Sequence, residues 1–142
     1  MRILGIDPGE ARIGVAISDP RGVVAVPLGV FARKGNGDPE EIATLARHEG
    51  AELIVVGLPL SLDGAIGIQA RRAQRLGRRI EAVSKLPVVF WDERFTTQEA
   101  GRLMLGSGMS RKRRRKGVDA TAATIILQEY LDCHRHPAES GS

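Results

Sequence analysis

The sequence predicts an α/β domain on a mixed sheet, and three observations carry that reading. Closely spaced apolar runs separated by turn residues open the chain, at residues 2–7, 13–19 and 23–32. Two continuous apolar runs follow, ELIVVG at 52–57 and VVFW at 88–91. Helical patterns lie between and after them. The close spacing makes the first three runs an antiparallel meander, and helical crossovers lay the later two parallel to the first. The expected core is a central five-stranded mixed sheet, three antiparallel strands plus two parallel, flanked by helices.

Each later element has a local cause. After KGNGD, Asp38 is placed to cap a helix running to about Glu49, with Pro39 at the first helical position, Glu40 and Glu41 favouring the dipole, and Gly50 as the stop. ELIVVG has no polar alternation, as expected for a strand buried on both faces. The loop LPLSLDG leads to an Arg-rich helix over about 67–84, which Pro87 breaks. VVFW forms the fifth strand and DERF follows. Thr96 or Thr97 can cap a short helix to Leu105, and Gly106 and Gly108 open a basic loop. A final helix from about Val118 to Leu131 places Ala122, Ile125, Ile126 and Tyr130 on one face.

The chain has the size of one domain, residues 1–133, with 134–142 read as a flexible C-terminal tail containing His134 and His136. No apolar run approaches the ~20 residues needed to cross a bilayer, and the start lacks a signal-peptide pattern. A cytoplasmic protein without membrane contact is expected. Cys133 is the single cysteine, so an intrachain disulfide is excluded, and no Cys/His spacing suggests zinc.

Charge is concentrated locally. The formal net charge is +4, yet residues 111–116 read RKRRRK, and without those six cations the rest of the chain carries −2. Arg71, Arg72, Arg75, Arg78, Arg79 and Lys85 form a second concentration, opposed in that segment only by Glu81. These arginines do not all fall on one helical stripe. Aromatic residues are 4% of the chain, which points away from base stacking and toward recognition of the phosphate backbone. Six cations meeting duplex phosphates would steepen the salt dependence of binding by about 5.

The topology also decides where the acids go. Asp7 ends the first strand and Asp92-Glu93 the fifth, at the carboxyl edge where ligand sites of open α/β sheets form. Adjacent strand residues point to opposite faces, so one of Asp92 and Glu93 faces the same side as Asp7. Asp119, near the start of the final helix, can bring a third carboxylate to that edge. Two like charges 4 Å apart repel by about 4 kcal/mol at an effective dielectric constant near 20. Such crowding calls for a cation, and oxygen ligands of this kind suit Mg²⁺ or Mn²⁺.

Four blocks in this order, GIDPGEARIGVAISD, VVGLPLSLDG, WDERFTT and KGVDATAATIILQEYL, resemble the signatures of the YqgF family, also called RuvX. That family is associated with Holliday junction resolution and with pre-16S ribosomal RNA processing. The resemblance spans nearly the whole chain. It implies the ribonuclease H-like fold and a catalytic, metal-binding set of Asp7, Glu93 and Asp119, holding two ions of Mg²⁺ or Mn²⁺. Asp92 is then left to pair with Arg94 or to support the site. Two departures stand out: Ala11 where family members often carry lysine, and Ser61 where they often carry asparagine. Both bear on substrate preference and leave the acids intact.

The expected activity is divalent-metal-dependent endonucleolytic cleavage of structured nucleic acid, either a pre-16S rRNA or a four-way DNA junction. Arg12, Arg111, Lys112, Arg113, Arg114, Arg115 and Lys116 would grip its backbone. Junction resolution needs two active sites and hence a homodimer; trimming one RNA strand does not. The competing reading is a non-catalytic nucleic-acid-binding factor in ribosome maturation or transcription. GIDPG also resembles the first phosphate loop of sugar kinases and actin-like ATPases, which need a second similar domain for nucleotide.

Overall fold

The computed structural model describes residues 1–60, 64–93 and 111–134, with side chains in the last helix described from residue 122. One sheet of five strands organises them: β1 (Arg2–Pro8), β2 (Arg12–Ser18), β3 (Ala25–Ala32), β4 (Ala51–Leu58) and β5 (Val88–Asp92). Their order is β3-β2-β1-β4-β5, antiparallel from β1 to β3 and parallel from β1 through β4 to β5. The helices are α1 (Asp38–His48), α2 (Ile68–Ser84) and α3 (Arg111–Cys133).

Strand periodicity divides the core into two layers. Leu4 and Ile6 of β1, with Ile54 and Val56 of β4, face α1 and α2, where Ile42, Ala46, Leu76 and Ile80 complete one cluster. Ile3, Leu53 and Val55 face α3, where Ala123, Ile126, Leu127 and Tyr130 complete the other. β4 is therefore covered on both faces, which is why its sequence shows no polar alternation. At the far end of α3, the exposed His134 stacks its ring on Tyr130 with centroids 4.0 Å apart. Among the described residues no helix is long and apolar enough to cross a membrane.

Three details differ from the sequence expectations. RKRRRK is not a loop: α3 begins at Arg111, and the basic run forms its first turns. Lysine and arginine are good helix formers, and the single glycine at 117 costs only about 1 kcal/mol. Asp38 does not cap α1, whose N-cap is Gly37. Its fully buried carboxylate instead accepts bonds from the backbone N–H groups of Lys34 (2.9 Å) and Gly35 (3.2 Å) and from Arg33 Nε (3.0 Å), tying down the preceding loop. On α3, Ala122, Ile126 and Tyr130 are buried as expected, but Ala123 and Leu127 are buried too and Ile125 is only half-buried, so the contact stripe is broader than expected and centred away from Ile125. The short helix expected to end at Leu105, and the positions Ser61 and His136, lie outside the described residues.

Candidate active site

The carboxyl edge of the parallel strands gathers the acids. Asp7 shares the α3-facing side of β1 with Ile3 and Gly5; Glu93 follows β5 and shares the same side with Val89 and Trp91. Glu93 N–H donates to Leu58 O at 3.1 Å, so the β4–β5 pairing continues just past the assigned strand and fixes the residue. The turn after Asp7 is equally constrained. Gly9 N–H donates to Asp7 O at 3.1 Å, and a Cβ at Gly9 would lie 2.6 Å from the carbonyl oxygen of Arg12. Pro8 is buried and Asp7 half-buried.

Glu93 is 8% exposed, and its carboxyl group is hydrogen-bonded to that of Asp7. Burial, then the hydrogen bond to Asp7, then the charges of Asp7 and Asp92 push the Glu93 carboxyl up to about 9. At neutral pH Glu93 therefore holds a proton and donates it to the Asp7 carboxylate. A proton between two carboxyl groups relieves the repulsion that a cation would otherwise relieve. This donor set, two carboxyl groups brought together across β4 from the ends of β1 and β5, fits a hard divalent ion.

Two glycines make the room. A Cβ at Gly57 of β4 would lie 2.8 Å from Glu93 Cδ and 2.8 Å from Ile126 Cδ1, so only a bare backbone lets Glu93 lie across β4 toward Asp7. A Cβ at Gly5 would lie 2.8 Å from Leu127 Cβ and 3.2 Å from Ala123 O, so α3 rests directly on β1. Gln128, further along α3, bonds Ala25 N (2.9 Å) and Val23 O (2.9 Å) at the opposite edge of the sheet. The N-terminal half of α3 is thereby directed toward the carboxyl edge. The backbone of Asp119 lies one helical turn, about 6 Å, before Ala123.

The structure thus brings Asp7 and Glu93 together and puts Asp92 on the other face of β5. Asp119 is on the helix that crosses the site, but its side chain, like those of Arg111, Lys112, Arg113, Arg114, Arg115 and Lys116, is outside the described residues; so is Arg94. Arg12 opens β2 and is exposed. The sequence reading missed Gly5 and Gly57. A glycine inside a strand pattern is the signal that could have found them, since it marks a close approach.

A family model described as RuvX, Holliday junction resolvase, matches residues 1–133. A relative from Syntrophus aciditrophicus, named "Putative pre-16S rRNA nuclease", is 48% identical over 133 residues, covering 93% of this chain and 89% of that protein. One of the same name from Pelotomaculum thermopropionicum is 45% identical over 139 residues, covering 96% and 90%. Among solved structures, the RuvC of T. thermophilus in complex with a Holliday junction substrate aligns with TM-score 0.57 at 15% identity, covering 94% of this chain and 97% of that one. The fowlpox virus Holliday junction resolvase aligns with TM-score 0.57 at 11% identity, covering 94% and 99%. These two structures share the fold.

Proposed function

The chain belongs to the RuvX family, and from that premise we propose that it is a divalent-metal-dependent endonuclease acting on structured nucleic acid in the cytoplasm. The contact between the Asp7 and Glu93 carboxyl groups carries the proposal, because a fold that buries one carboxyl against another at a strand edge has built a site for positive charge. Asp119 is assigned as the third ligand. Support comes from the packing of α3 on Gly5 and from the position of Asp119 one turn further toward the carboxyl edge.

Mg²⁺ or Mn²⁺ held by Asp7, Glu93 and Asp119 would supply activation of the attacking water and charge stabilisation at the departing oxygen. The chain's own residues do the rest. Asp7 is fixed by β1 and the tight turn at Gly9, so its carboxylate needs little reorganisation on binding substrate. Glu93, which holds a proton against Asp7 in the metal-free protein, would release it to solvent on serving as a ligand. The basic first turns of α3, Arg111 to Lys116, supply positive charge for the phosphate backbone, and Arg12 supplies more beside the turn. Asp92, on the opposite face, raises the cost of ionising Glu93 and acts through it.

The substrate is proposed to be a pre-16S rRNA, in keeping with the names of the relatives near 45% identity. A four-way DNA junction is the alternative, carried by the family description. Cleavage of both labelled substrates side by side, in Mg²⁺ and in Mn²⁺, tests the reading with Asp7→Asn as control. Metal-dependent cutting of the RNA precursor, lost in Asp7→Asn, is the expected result. Tight binding of both substrates without cleavage of either would replace the enzyme with a non-catalytic binding factor.

A further inference from the structure

On the face of the sheet opposite α3, a cleft of about 250 Å³ lies between α2 and the loop that precedes α1. Arg72, Arg75 and Arg79 form its α2 wall with Leu76 between them, and Arg33 and Asn36 line the other side. Spacings of three and four residues put the three α2 arginines on one helical face. The sequence suggested no common stripe for the helix's arginines, and taken together they have none: Arg78 turns away, over the Phe90 ring and toward Glu81.

The loop wall is held in advance. Buried Asp38 grips Arg33 through its Nε and holds the Lys34 and Gly35 amides, while Arg33 Nη1 donates to Gly9 O at 2.9 Å. Gly9 belongs to the turn directly after Asp7. Arg72 lies 4.0 Å from Glu10 of that turn, and Gln69 bonds the same carboxylate. The cleft is therefore attached to the candidate active site through the Asp7–Glu10 turn.

Its charge is only partly matched. Asp38 neutralises Arg33 and Glu10 sits at long range from Arg72, but among the described residues no carboxylate pairs with Arg75 or Arg79, and Arg79 donates to Asn36 O at 3.3 Å. Guanidinium groups converging on one cleft match the oxygens of a phosphate. The volume is below the range usual for a whole small-molecule ligand, and no aromatic side chain lines it for stacking. A single phosphate of a longer chain suits it better than a free nucleotide.

We propose that the Arg33–Arg72–Arg75–Arg79 cleft holds a backbone phosphate of the nucleic-acid substrate, as the strand crosses the sheet edge from the Asp7 site toward α2. This rests on the nuclease reading for its ligand. It gives α2 a defined part in substrate grip, separate from the basic start of α3.

The test compares Arg75→Ala/Arg79→Ala with Arg71→Ala/Lys85→Ala, which removes the same charge outside the cleft. Binding of a labelled four-way junction and of a structured RNA precursor fragment is measured across a salt series. The cleft variant should weaken binding at least about tenfold and flatten the salt slope by about 1, with the control much closer to wild type. Equal losses in the two variants, or no loss in either, would overturn the proposal. A melting response to inorganic pyrophosphate that disappears in the cleft variant while its nucleic-acid salt slope is unchanged would also overturn it, in favour of a small phosphate ligand. Cleavage by Asp7→Asn is read separately, because it bears on the nuclease reading while the binding data bear on the cleft.

Discussion

β1 and the strand beside it each end in an aspartate followed by proline, and the two aspartates have opposite surroundings. Asp19, just past β2, accepts hydrogen bonds from the backbone N–H groups of Val23 (2.7 Å), Val24 (2.8 Å) and Arg21 (3.2 Å). Those bonds, that of Val24 first, hold its carboxyl below the usual carboxylate range. Asp7, at the other edge of the sheet, meets a second carboxyl group, and the pair must share a proton. One Asp-Pro step spends its carboxylate on the amides of its own turn; the other sets its carboxyl group against a second one. Asp38-Pro39 joins the first class, with its carboxylate spent on the loop before α1.

The comparison predicts that the two aspartates separate stability from activity. Asp7→Asn should reduce cleavage at least about 100-fold, with a melting temperature unchanged or raised, because a neutral amide removes the carboxylate facing Glu93. Asp19→Asn should cleave at the wild-type rate. Kinetics and melting curves of both variants check this, and comparable loss of activity in both would break the distinction.

Glycines give the next effects. Gly57→Ala forces Glu93 or Ile126 to move, so cleavage should fall about 10- to 100-fold with a modest loss of stability. Gly5→Ala meets the α3 backbone as well as Leu127, which cannot swing aside as a side-chain end can. It should cost about 1–3 kcal/mol in a denaturant titration.

Smaller effects concern the backbone-bound aspartate and pH. Asp19→Ala should cost about 1 kcal/mol near neutral pH. Because the folded-state pKa of Asp19 is lowered, its contribution is present above the ordinary aspartate range and lost as pH falls through the folded value; wild type and variant should converge in acid. Glu93 has the opposite sign. Its folded pKa, about 9 against an ordinary 4.5, makes the metal-free protein less stable as pH rises between those values, since the unfolded chain ionises there first. Glu93→Gln should flatten that slope, as melting in excess chelator at a series of pH values would report.

The sheet was legible because each strand announces itself by periodicity or by a continuous apolar run, and because the crossover rule leaves few ways to connect them. Asp7 and the Asp92-Glu93 pair were legible as strand-end acids; alternation left the choice within the pair open, and the family resemblance favoured Glu93. Asp-Pro alone could not separate Asp7 from Asp19 or Asp38, since the distinction lies in which amides the folded turn aims at the carboxylate. The start of α3 was misplaced because the glycines at 106 and 108 and a dense run of cations suggested a loop, although arginine and lysine favour helix. The arginine cleft was hidden for a different reason: half of it is α2 and half is a loop more than 30 residues earlier, and no periodicity connects them.

Calorimetric titration of Mn²⁺ into metal-free wild type and Asp7→Asn at pH 7, each in two buffers of different ionisation enthalpy, tests the central claim most directly. If Asp7 and Glu93 form the cation site, wild type binds Mn²⁺ with release of about one proton, from Glu93, and Asp7→Asn loses the binding. Equal affinity in the two proteins, with no proton released, would contradict it.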